Sequence, residues 1–537
     1  MLKTWGLSNF KSIQNADLEL APLTILTGTN SSGKSSFIQS ILLIAQTMRN
    51  NFSERSLVLN GDFVDLGQFE DIRSRPLLNS KGDHLPVGIR WSYKGVGNIE
   101  REEYILEDAL NELDLEEFNE EYENATEKDK NSYLEDERFE MTYEKDYIID
   151  FTLEFNSLHS KNIFSDEEKK RYKKEQFSPR VVSIQQKIFD LEYDKDEYIR
   201  FLNIKEDLNL DYENKIPTYK TDFNPIFSNH GDNDFSCPVE VNHFWPKKID
   251  ISTKWKKYLL ELYESNKDKI TPNIYFEACF NVFGDLFKNF KYLGPLRYRE
   301  SYYPFSKAAD PKDVGVKGEY TAAVLDMFKD KNCTYKSPEF FENNSQGINQ
   351  TCIKTLREAL NEWLNYLGIT DNLESEITKD RYLIELNEIN ISHVGTGVSQ
   401  VLPILITCLM ADKGSTLIFE QPELHLHPKM QSKLSDFFIA IALSGRQIIV
   451  ETHSEHIINN LCYRYASSEN DDDFRDLSKI YFAEKQDGRT SFKPISINKY
   501  GTLSDWPEDF FDEAQNANKK IIDEALKKSE KEDEDYD

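Results

Sequence analysis

The chain has 537 residues, of which 39% are hydrophobic, so it can bury cores for two or three domains and is not a wholly disordered protein. Its formal net charge of −30 opposes non-specific binding of nucleic acid or anionic membrane over the whole surface, so any nucleic-acid contact must be local or made through a partner. The six cysteines form no C-x-x-C pair, and neither a signal peptide nor an apolar run long enough to cross a membrane is visible, which predicts a cytoplasmic protein with free thiols.

Residues 1–94 contain an apolar strand, "LTILTG", a glycine-rich loop and a helix whose apolar residues recur at helical spacing. The loop "GTNSSGKSS" matches G-x-x-x-x-G-K-[ST] between a strand and a helix, the context that distinguishes a phosphate loop from a plain glycine turn. Its glycines let backbone N–H groups surround a phosphate, its lysine neutralises phosphate charge, and a hydroxyl at the helix N-terminus can ligate Mg²⁺. The predicted nucleotide-binding residues are Gly28, Asn30, Ser31, Ser32, Gly33, Lys34, Ser35 and Ser36, with Ser35 also a metal ligand.

Residues 95–289 are acidic, rich in long charged and aromatic segments and poor in glycine, which predicts an inserted and largely helical domain. Within it, apolar residues from Val181 to Leu202 fall near heptad positions, which favours a short helical hairpin over a long coiled-coil arm. Two basic runs, "EEKKRYKKEQ" and "KWKKYLLELY", could contact DNA, although solvated helix faces are the commoner meaning of such runs.

Residues 290–514 alternate apolar strands with amphipathic helices. The segments "RYLIEL", "STLIFE" and "RQIIVET" are predicted as buried strands of a parallel sheet, and the helix after "HLHP" has Pro428 in its first turn. Residues 515–537 form a charged tail with little to bury, which predicts a disordered end. The expected fold class is therefore α/β, with a helical insertion dividing a nucleotide-binding domain.

Three further segments of this region can carry chemistry. Glu420 ends the strand "STLIFE", where a carboxylate can hold a metal through water or can simply close a buried strand. His453 follows the next strand, at the edge where ligands collect in open α/β sheets, although a lone histidine there would more often be structural. Gly395 and Gly397 can bring backbone close to a phosphate or mark a helix start. The histidines at 425, 427, 453 and 456 lack H-E-x-x-H spacing and are not assigned a metal.

In the order glycine loop, insertion, glycine–serine helix, acid-ended strand and histidine-ended strand, the sequence resembles the ABC-class ATPase heads of SMC, Rad50, RecF and OLD-type proteins. It is most similar to the compact prokaryotic AAA ATPases of anti-phage systems, of which the ATPase subunits of Septu systems are the nearest. The resemblance covers residues 1–94 and 290–514 and implies a P-loop ABC-type head with a mixed or parallel sheet. It also implies ATP and Mg²⁺ as cofactors.

The resemblance implies a role for each motif. Residues 28–36 correspond to Walker A, Glu420 to the Walker B acid, "LHLHP" to the D-loop and His453 to the switch histidine. The implied signature loop consists of Gly395, Thr396 and Gly397. Because such heads hold each ATP between two copies, a homodimer or higher even oligomer is implied.

Residues outside these motifs also match segments of such heads. Lys11 and Ser12, in the opening strands, are implied as nucleotide contacts, and Gln68 as a Q-loop glutamine and metal ligand. No chemistry is assigned to four residues in two other recurrent segments, where surface charge is an equal alternative: Arg297, Arg299, Lys317 and Glu319.

Gln421 stands where transporter and Rad50-type heads carry a glutamate after the Walker B acid. A glutamine can orient water but cannot accept its proton, and loss of a general base costs about 10²–10⁴ in rate. OLD-like relatives carry E-x-P-E here, so Glu423 is the candidate base, and an acid near the first turn of the next helix is its alternative role. Glu420, Gln421, Glu423 and His453 are therefore the predicted catalytic residues. Either Glu423 substitutes for the missing base or turnover is slow, and Gln421 favours a switch over a motor.

The first functional hypothesis is an ATP-dependent sensor or regulator of a separate nuclease, suspected to be of HNH type, in bacterial anti-phage defence. OLD nucleases carry a Toprim domain after the switch histidine, whereas only about eighty residues follow His453, so no nuclease domain is expected in this chain. The second hypothesis is a RecF- or Rad50-like repair or recombination ATPase that binds DNA directly. The third is a nucleotide-locked scaffold that does not hydrolyse ATP.

Overall fold

In the computed structural model the chain divides into two compact units. The first is formed by Met1–Gln46, Leu59–Gly82 and Asn289–Asp537, and the second by Thr47–Val58 and Asp83–Lys288. The residues described are 1–49, 57–74, 85–99, 143–156, 180–190, 200–206, 219–225, 236–242, 245–249, 289–297, 303–304, 311–342, 351–378, 381–393, 395–468, 474, 476–504, 517 and 519–526. No helix within these ranges has the length and apolar character needed to span a bilayer.

A six-stranded sheet organises the first unit. Its strands are β3 (Leu23–Gly28), β11 (Phe290–Leu293), β18 (Thr416–Glu420), β19 (Gln447–Glu451), β20 (Ser478–Gln486) and β21 (Arg489–Ile495). In the order β11-β18-β19-β3-β20-β21, neighbours are parallel as far as β20, and β21 returns antiparallel. Every residue of β18 and β19 is buried, as expected for parallel strands covered on both faces. The predicted α/β class and the parallel strands "STLIFE" and "RQIIVET" are confirmed.

The segment "RYLIEL" is a strand of a different sheet. It forms β16 (Arg381–Leu386), which pairs antiparallel with β12 (Tyr303–Pro304), β15 (Leu373–Thr378) and β17 (Ile389–Asn390). Ile384 and Leu386 are buried while Leu383 and Glu385 are half-buried, which is the alternation of a strand with one face on the core. The prediction of a place in the parallel sheet is therefore wrong for this segment.

Shorter pairs and the helices complete the first unit. The pairs are the hairpin of β1 (Leu2–Phe10) with β2 (Ile13–Glu19) and that of β13 (Asn332–Tyr335) with β14 (Cys352–Thr355). The helices are α1 (Lys34–Arg49), α2 (Phe69–Ile72), α3 (Thr321–Phe328), α4 (Glu339–Glu342), α5 (Leu356–Leu367), α6 (Thr396–Met410), α7 (Pro428–Leu443) and α8 (Glu455–Ser467). Pro428 opens α7 as predicted, because the first turn of a helix needs no proline N–H.

The described part of the second unit is an antiparallel meander. Its strands are β4 (Val87–Ile99), β5 (Tyr143–Asn156), β6 (Arg180–Asp190), β7 (Arg200–Glu206), β8 (Tyr219–Pro225), β9 (Ser236–Asn242) and β10 (Trp245–Ile249), each pairing with the next along the chain. Trp91 and Phe151 are partners across β4 and β5, and their rings stack at 4.6 Å between centroids. The large buried apolar side chains of β4 and β5 lie at alternating positions, so these strands present one apolar face; they are Val87, Ile89, Trp91, Phe151, Leu153 and Phe155.

The prediction of a largely helical insertion is wrong for these segments. Val181, Ile184 and Ile188 lie in β6, and Leu202 lies in β7, where a helical hairpin was expected. The heptad spacing misleads because Ile184 and Ile188 are four residues apart, an even number that fits the two-residue period of a strand as well as a helical turn. Residues 101–142 and 250–288 lie outside the described residues, as do both basic runs.

Part of the C-terminal tail also differs from expectation. Residues 519–526 are helical and exposed, where a disordered end was predicted. The segment "KKIIDEAL" is rich in good helix formers, and this local propensity outweighs its lack of a buried face. The other residues of the tail, apart from Ala517, are not described.

A buried carboxylate links three helices of the first unit. Asp436 of α7 is 1% exposed and accepts hydrogen bonds from Tyr366 of α5, and from Asn460 and Arg464 of α8. The Arg464 guanidinium donates from Nε at 2.7 Å and from Nη2 at 2.9 Å. A two-pronged pair of this kind fixes the crossing of the helices as well as their separation.

We expect Asp436→Ala to lower the free energy of unfolding by about 3–5 kcal/mol, because it leaves the Arg464 cation partly buried without its carboxylate. Urea unfolding followed by circular dichroism measures the change. The control is Glu19→Ala, which removes the exposed pair of Glu19 with Lys479 and should cost about 0–1 kcal/mol. Equal effects of the two substitutions would contradict the assignment.

Candidate functional site

The glycine loop between β3 and α1 has a backbone that only glycine accommodates at two positions. Gly28 and Gly33 have φ angles of +133° and +103°. A Cβ on Gly28 would lie 2.1 Å from the Ala483 carbonyl oxygen, and one on Gly33 would lie 2.4 Å from Thr490 Oγ1. The left-handed turns and the lack of space at both positions are what a loop needs to aim its N–H groups at one anion.

The side chain of Lys34 lies inside this loop. Its Nζ donates to the carbonyl oxygens of Gly28 at 3.0 Å and Thr29 at 2.7 Å, and more weakly to Ser32 Oγ at 3.4 Å. Burial lowers the pKa of Lys34 from its ordinary value, while the nearby Glu451 carboxylate raises it. Of the other predicted loop residues, Ser32 is buried, Ser36 is half-buried in α1, and Asn30 and Ser31 are exposed at the tip.

Two carboxylates lie side by side at the ends of neighbouring strands. Glu420 and Glu451 are the last residues of β18 and β19 and are register partners. Ser35 Oγ lies 3.1 Å from each carboxylate oxygen of Glu451, and Tyr292 donates its hydroxyl to Glu420 Oε1 at 2.9 Å. Burial and the Glu451 charge raise the pKa of Glu420 to about 7, against the Tyr292 hydrogen bond. Burial likewise raises the pKa of Glu451, and Lys34 opposes this.

The turn after Glu420 brings Gln421, Glu423 and His453 together. Gln421 has a φ angle of +44°, and its N–H donates to the Glu451 carbonyl at 2.7 Å. Glu423 Oε1 accepts from the His453 N–H at 2.7 Å. Since α7 begins only at Pro428, Glu423 is not in its first turn, and the alternative of a helix-dipole acid is wrong. Burial raises the pKa of Glu423 above its ordinary value, although the His453 N–H lowers it.

His453 is half-buried at the C-terminal end of β19. Burial lowers its pKa, and the Lys34 cation lowers it further, so the imidazole is neutral at physiological pH. A neutral imidazole can donate one hydrogen bond and accept another. The next residue, Ser454, caps α8 by accepting from the Ile457 N–H, which fixes the chain on both sides of the histidine.

The predicted signature loop opens α6. Gly395 is the N-cap of α6, and Gly395 and Thr396 are exposed. A Cβ on Gly397 would lie 2.8 Å from the His425 carbonyl oxygen, so the glycine allows α6 to pack on the predicted D-loop. A Cβ on Gly395 would meet no atom within 4 Å. The loop is thus anchored on one side and open to solvent on the other.

The β1–β2 hairpin contacts Thr490 of the β20–β21 hairpin, and Thr490 in turn packs on the phosphate loop. Ser12 Oγ lies 2.7 Å from Thr490 Oγ1, and the Thr490 N–H donates to the Ser12 carbonyl at 2.9 Å. Thr490 is the residue that packs on Gly33. Lys11, with a φ angle of +50°, donates from Nζ to Gln39 of α1 at 2.6 Å. The structure therefore brings Lys11 and Ser12 beside the loop and its helix.

The remaining predicted residues that the structure describes make contacts away from the phosphate loop. Gln68 is exposed at the start of α2, where its N–H donates to Asp71 at 2.9 Å, and its role as a metal ligand stays a prediction. Lys317 donates its N–H to Glu319 at 2.8 Å and so closes a local turn. Arg297 is buried against the turn after Glu420. Arg299 lies outside the described residues.

Sequence reasoning missed Glu451, Tyr292 and Thr490. Glu451 ends an apolar strand just as Glu420 does, so the rule applied to Glu420 would have found it. Tyr292 and Thr490 have no local signal, because they belong to β11 and β21 and reach the site only through the order of the strands.

The residues around Ser35 fit a magnesium ion held together with phosphate. They offer oxygen donors, a hydroxyl and two carboxylates, which are the ligands that Mg²⁺ prefers. Both carboxylates are buried with raised pKa values, so a nearby cation would favour their ionised forms. Within the described ranges, no cluster of three or more His, Cys, Asp or Glu side chains is arranged to hold a metal alone.

A family model described as an AAA ATPase domain matches residues 1–458, and one described as a protein of unknown function matches residues 475–521. The second range contains all of β20 and β21, including Thr490. No curated protein matches the chain.

Several solved structures are similar over most of their length. An SMC head domain from Thermotoga maritima has a TM-score of 0.31 and 10% identity, covering 92% of this chain and 99% of that one. An SMC head bound to the C-winged helix domain of ScpA has a TM-score of 0.34 and 11% identity, with coverages of 92% and 98%. A third, from Pyrococcus furiosus, is an SMC head with an extended coiled coil bound to the C-terminal domain of ScpA; its TM-score is 0.31, its identity 10% and its coverages 92% and 96%. At these TM-scores the likeness supports no inference about this chain.

We expect the free energy of unfolding of the nucleotide-free protein, measured with a chelator present, to fall as the pH rises from 5 to 8, because of Glu420. Its folded pKa of about 7 lies above its ordinary value, so the native state binds more protons than the unfolded state in this window. Glu420→Gln should therefore stabilise the protein more at pH 8 than at pH 5, by on the order of 3 kcal/mol at about 1.4 kcal/mol per pKa unit.

Urea unfolding at several pH values measures this difference. Tyr292→Phe is the companion variant: it removes the hydroxyl that favours the ionised carboxylate, so the loss of stability with rising pH should become steeper. A stability gain from Glu420→Gln that is the same at pH 5 and pH 8 would contradict the assignment.

Proposed function

The chain belongs to the AAA ATPase domain family and is an ATPase, and from this premise we propose that it works as an ABC-class switch in which two copies close on ATP. Each ATP would contact the Gly28–Ser36 loop of one copy and the Gly395–Gly397 loop of the other. The observation that carries the proposal is the contrast between these loops. Lys34 points into its own loop, whereas Gly395 and Thr396 face solvent, where a second copy could reach them.

Within one copy, the residues divide the binding of Mg²⁺-ATP between them. The backbone of the loop and Lys34 would bind the β- and γ-phosphates. Ser35 and Glu420 would hold Mg²⁺, which neutralises phosphate charge when bound, and Gln68 is a further proposed ligand. Lys11 and Ser12 would contact the nucleotide from the opening hairpin.

Hydrolysis would depend on Gln421, Glu423 and His453. Gln421 can orient a water molecule, and Glu423 is the neighbouring carboxylate able to accept its proton. The raised pKa of the buried Glu423 makes it a better base near neutral pH than an ordinary carboxylate. Gln421 itself, directly after Glu420, cannot accept the proton, and this favours a switch over a motor.

The closed dimer would regulate a separate nuclease, suspected to be of HNH type, in anti-phage defence, as the resemblance to Septu-type ATPases suggests. A coupling of about 1–3 kcal/mol between closure and a partner site is enough for such regulation. Cys333, Cys352, Cys408 and Cys462 are free thiols, which supports a reducing compartment such as the cytoplasm.

We expect Gly395→Trp to abolish ATP-dependent dimerisation while the affinity for ATP in the monomer stays within about threefold. The indole has open space in one copy, because no atom lies within 4 Å of a Cβ here, but it would block a partner's γ-phosphate. Light scattering after gel filtration with Mg²⁺-ATP measures mass. Lys413→Trp, on an exposed residue past the other end of α6, is the matched control and should dimerise normally. A wild-type chain that stays monomeric with Mg²⁺-ATP would refute the proposal.

The purified wild-type chain should hydrolyse ATP slowly and leave DNA intact. Incubation of plasmid DNA with the chain, Mg²⁺ and ATP, followed by agarose gel electrophoresis, checks this. Metal-dependent cleavage by the chain alone would contradict the regulatory role. Salt-sensitive DNA binding that is lost when Lys169, Lys170, Lys173 and Lys174 are neutralised would support the repair or recombination ATPase instead.

A further inference from the structure

Arg297 is buried behind the turn that carries Gln421 and Glu423. It is 6% exposed, follows β11, and donates from Nη2 to the carbonyl oxygen of Glu420 at 2.9 Å. A weaker contact of 3.5 Å reaches the carbonyl of Gln421. On its other side, the carbonyl of Arg297 accepts from Gln400 Nε2, in the first turns of α6, at 3.4 Å. Arg297 thus contacts both the Walker B turn and the helix of the signature loop.

The rest of the guanidinium has no hydrogen-bond partner among the described residues. Arg297 Nε and Nη1 are buried and unpaired, and so is Glu423 Oε2. Among the charges that act on Arg297, Glu423 has the largest effect. Arg297 and Glu423 are therefore two buried groups of opposite charge that interact electrostatically at the turn after Glu420.

Gln421 adds a second, independent observation. Its φ angle of +44° is uncommon for a residue with a side chain, and such a conformation persists only when the surroundings impose it. Here the imposed contacts are the Gln421 N–H to the Glu451 carbonyl, and the Arg297 guanidinium on the two carbonyls of the turn. The conformation sets the direction in which the Gln421 amide leaves the strand.

We propose that Arg297 is a positioning residue for ATP hydrolysis, which holds Gln421 in its left-handed conformation and orients the Glu423 carboxylate by its charge. This rests on the proposed roles of Gln421 and Glu423 toward the attacking water. Arg297 would act through the turn, because its guanidinium donates to the carbonyl oxygens of Glu420 and Gln421. Its contribution falls on the rate of the chemical step and leaves ATP affinity unchanged, because the phosphate loop is built from other residues.

Arg446 is a second buried arginine beside the same sheet, and its contacts are purely structural. It is 3% exposed and lies before β19, at the opposite end of the strands. Its Nε donates to the Ala411 carbonyl at 2.7 Å and its Nη1 to the Thr334 carbonyl at 2.8 Å. These contacts join elements of the core and involve no residue of the site. Arg446 is therefore a matched control for the burial and charge of Arg297.

The test compares Arg297→Met with Arg446→Met. Single-turnover hydrolysis with excess protein gives the rate, a fluorescent ATP analogue gives the affinity, and thermal unfolding gives the folded fraction. We expect Arg297→Met to lower the rate per folded molecule by about 10- to 100-fold, as a small misplacement of catalytic groups does, with affinity changed by less than about threefold. Arg297→Lys should recover part of the rate because it keeps the charge but loses the planar fork. Arg446→Met should lower stability and leave the rate per folded molecule unchanged.

Combination with Glu423→Gln separates the inference from the function on which it rests. If Arg297 acts through Glu423 and its turn, Arg297→Met should add little to the defect of Glu423→Gln. A wild-type rate for Glu423→Gln would instead refute the proposed role of Glu423, whatever Arg297 does. An unchanged rate per folded molecule in Arg297→Met, or equal rate losses in the two methionine variants, would overturn the inference. If Arg297→Met does not fold, Arg297→Lys provides the test: a lower rate at unchanged ATP affinity supports the inference, and an unchanged rate overturns it.

Discussion

Burial of charge at the ends of three parallel strands is the constraint on which this site depends. β3, β18 and β19 end side by side, which places Lys34, Glu420 and Glu451 together where little water reaches them. Burying an ionised group is unfavourable unless a partner compensates it. Ser35 and Lys34 compensate Glu451, and Tyr292 compensates Glu420, yet the pKa values of both carboxylates stay raised. The remaining negative charge makes a cation the natural complement of the site.

The same constraint explains the turn that follows Glu420. Its left-handed residue, Gln421, costs about 1–3 kcal/mol relative to a relaxed backbone, and the hydrogen bond to the Glu451 carbonyl helps to maintain it. The turn then brings the Glu423 carboxylate within hydrogen-bond distance of the His453 N–H, which joins the segment after β18 directly to the segment after β19. A change in the charge near Lys34 would thus be felt at the turn, at His453 and at α8, which begins two residues later. The proposed nucleotide-dependent switch would use connectivity of this kind.

Sequence reasoning succeeded where one physical requirement acts on neighbouring residues. A phosphate loop needs glycine, lysine and a hydroxyl in fixed order, so Gly28 to Ser36 could be recognised directly, and a fully buried strand such as "STLIFE" needs an unbroken apolar run. It failed where two structures share one pattern. The spacing of Ile184 and Ile188 fits a helix and a strand alike, and "RYLIEL" is apolar enough for a parallel strand although it alternates as an antiparallel one.

The sequence by itself determined the phosphate loop, the α/β class, Glu420 as the last residue of a buried strand, and Gln421, Glu423 and His453 as residues that follow such strands, because each is set by local chemistry and period. The tertiary structure alone decided which side chains from distant segments complete the site. Tyr292 reaches Glu420 because β11 lies beside β18, Thr490 reaches Ser12 and Gly33 because β20 and β21 lie beside β3, and Arg297 reaches the turn from the end of β11. Strand order arises from packing over the whole chain, and no short stretch of sequence encodes it.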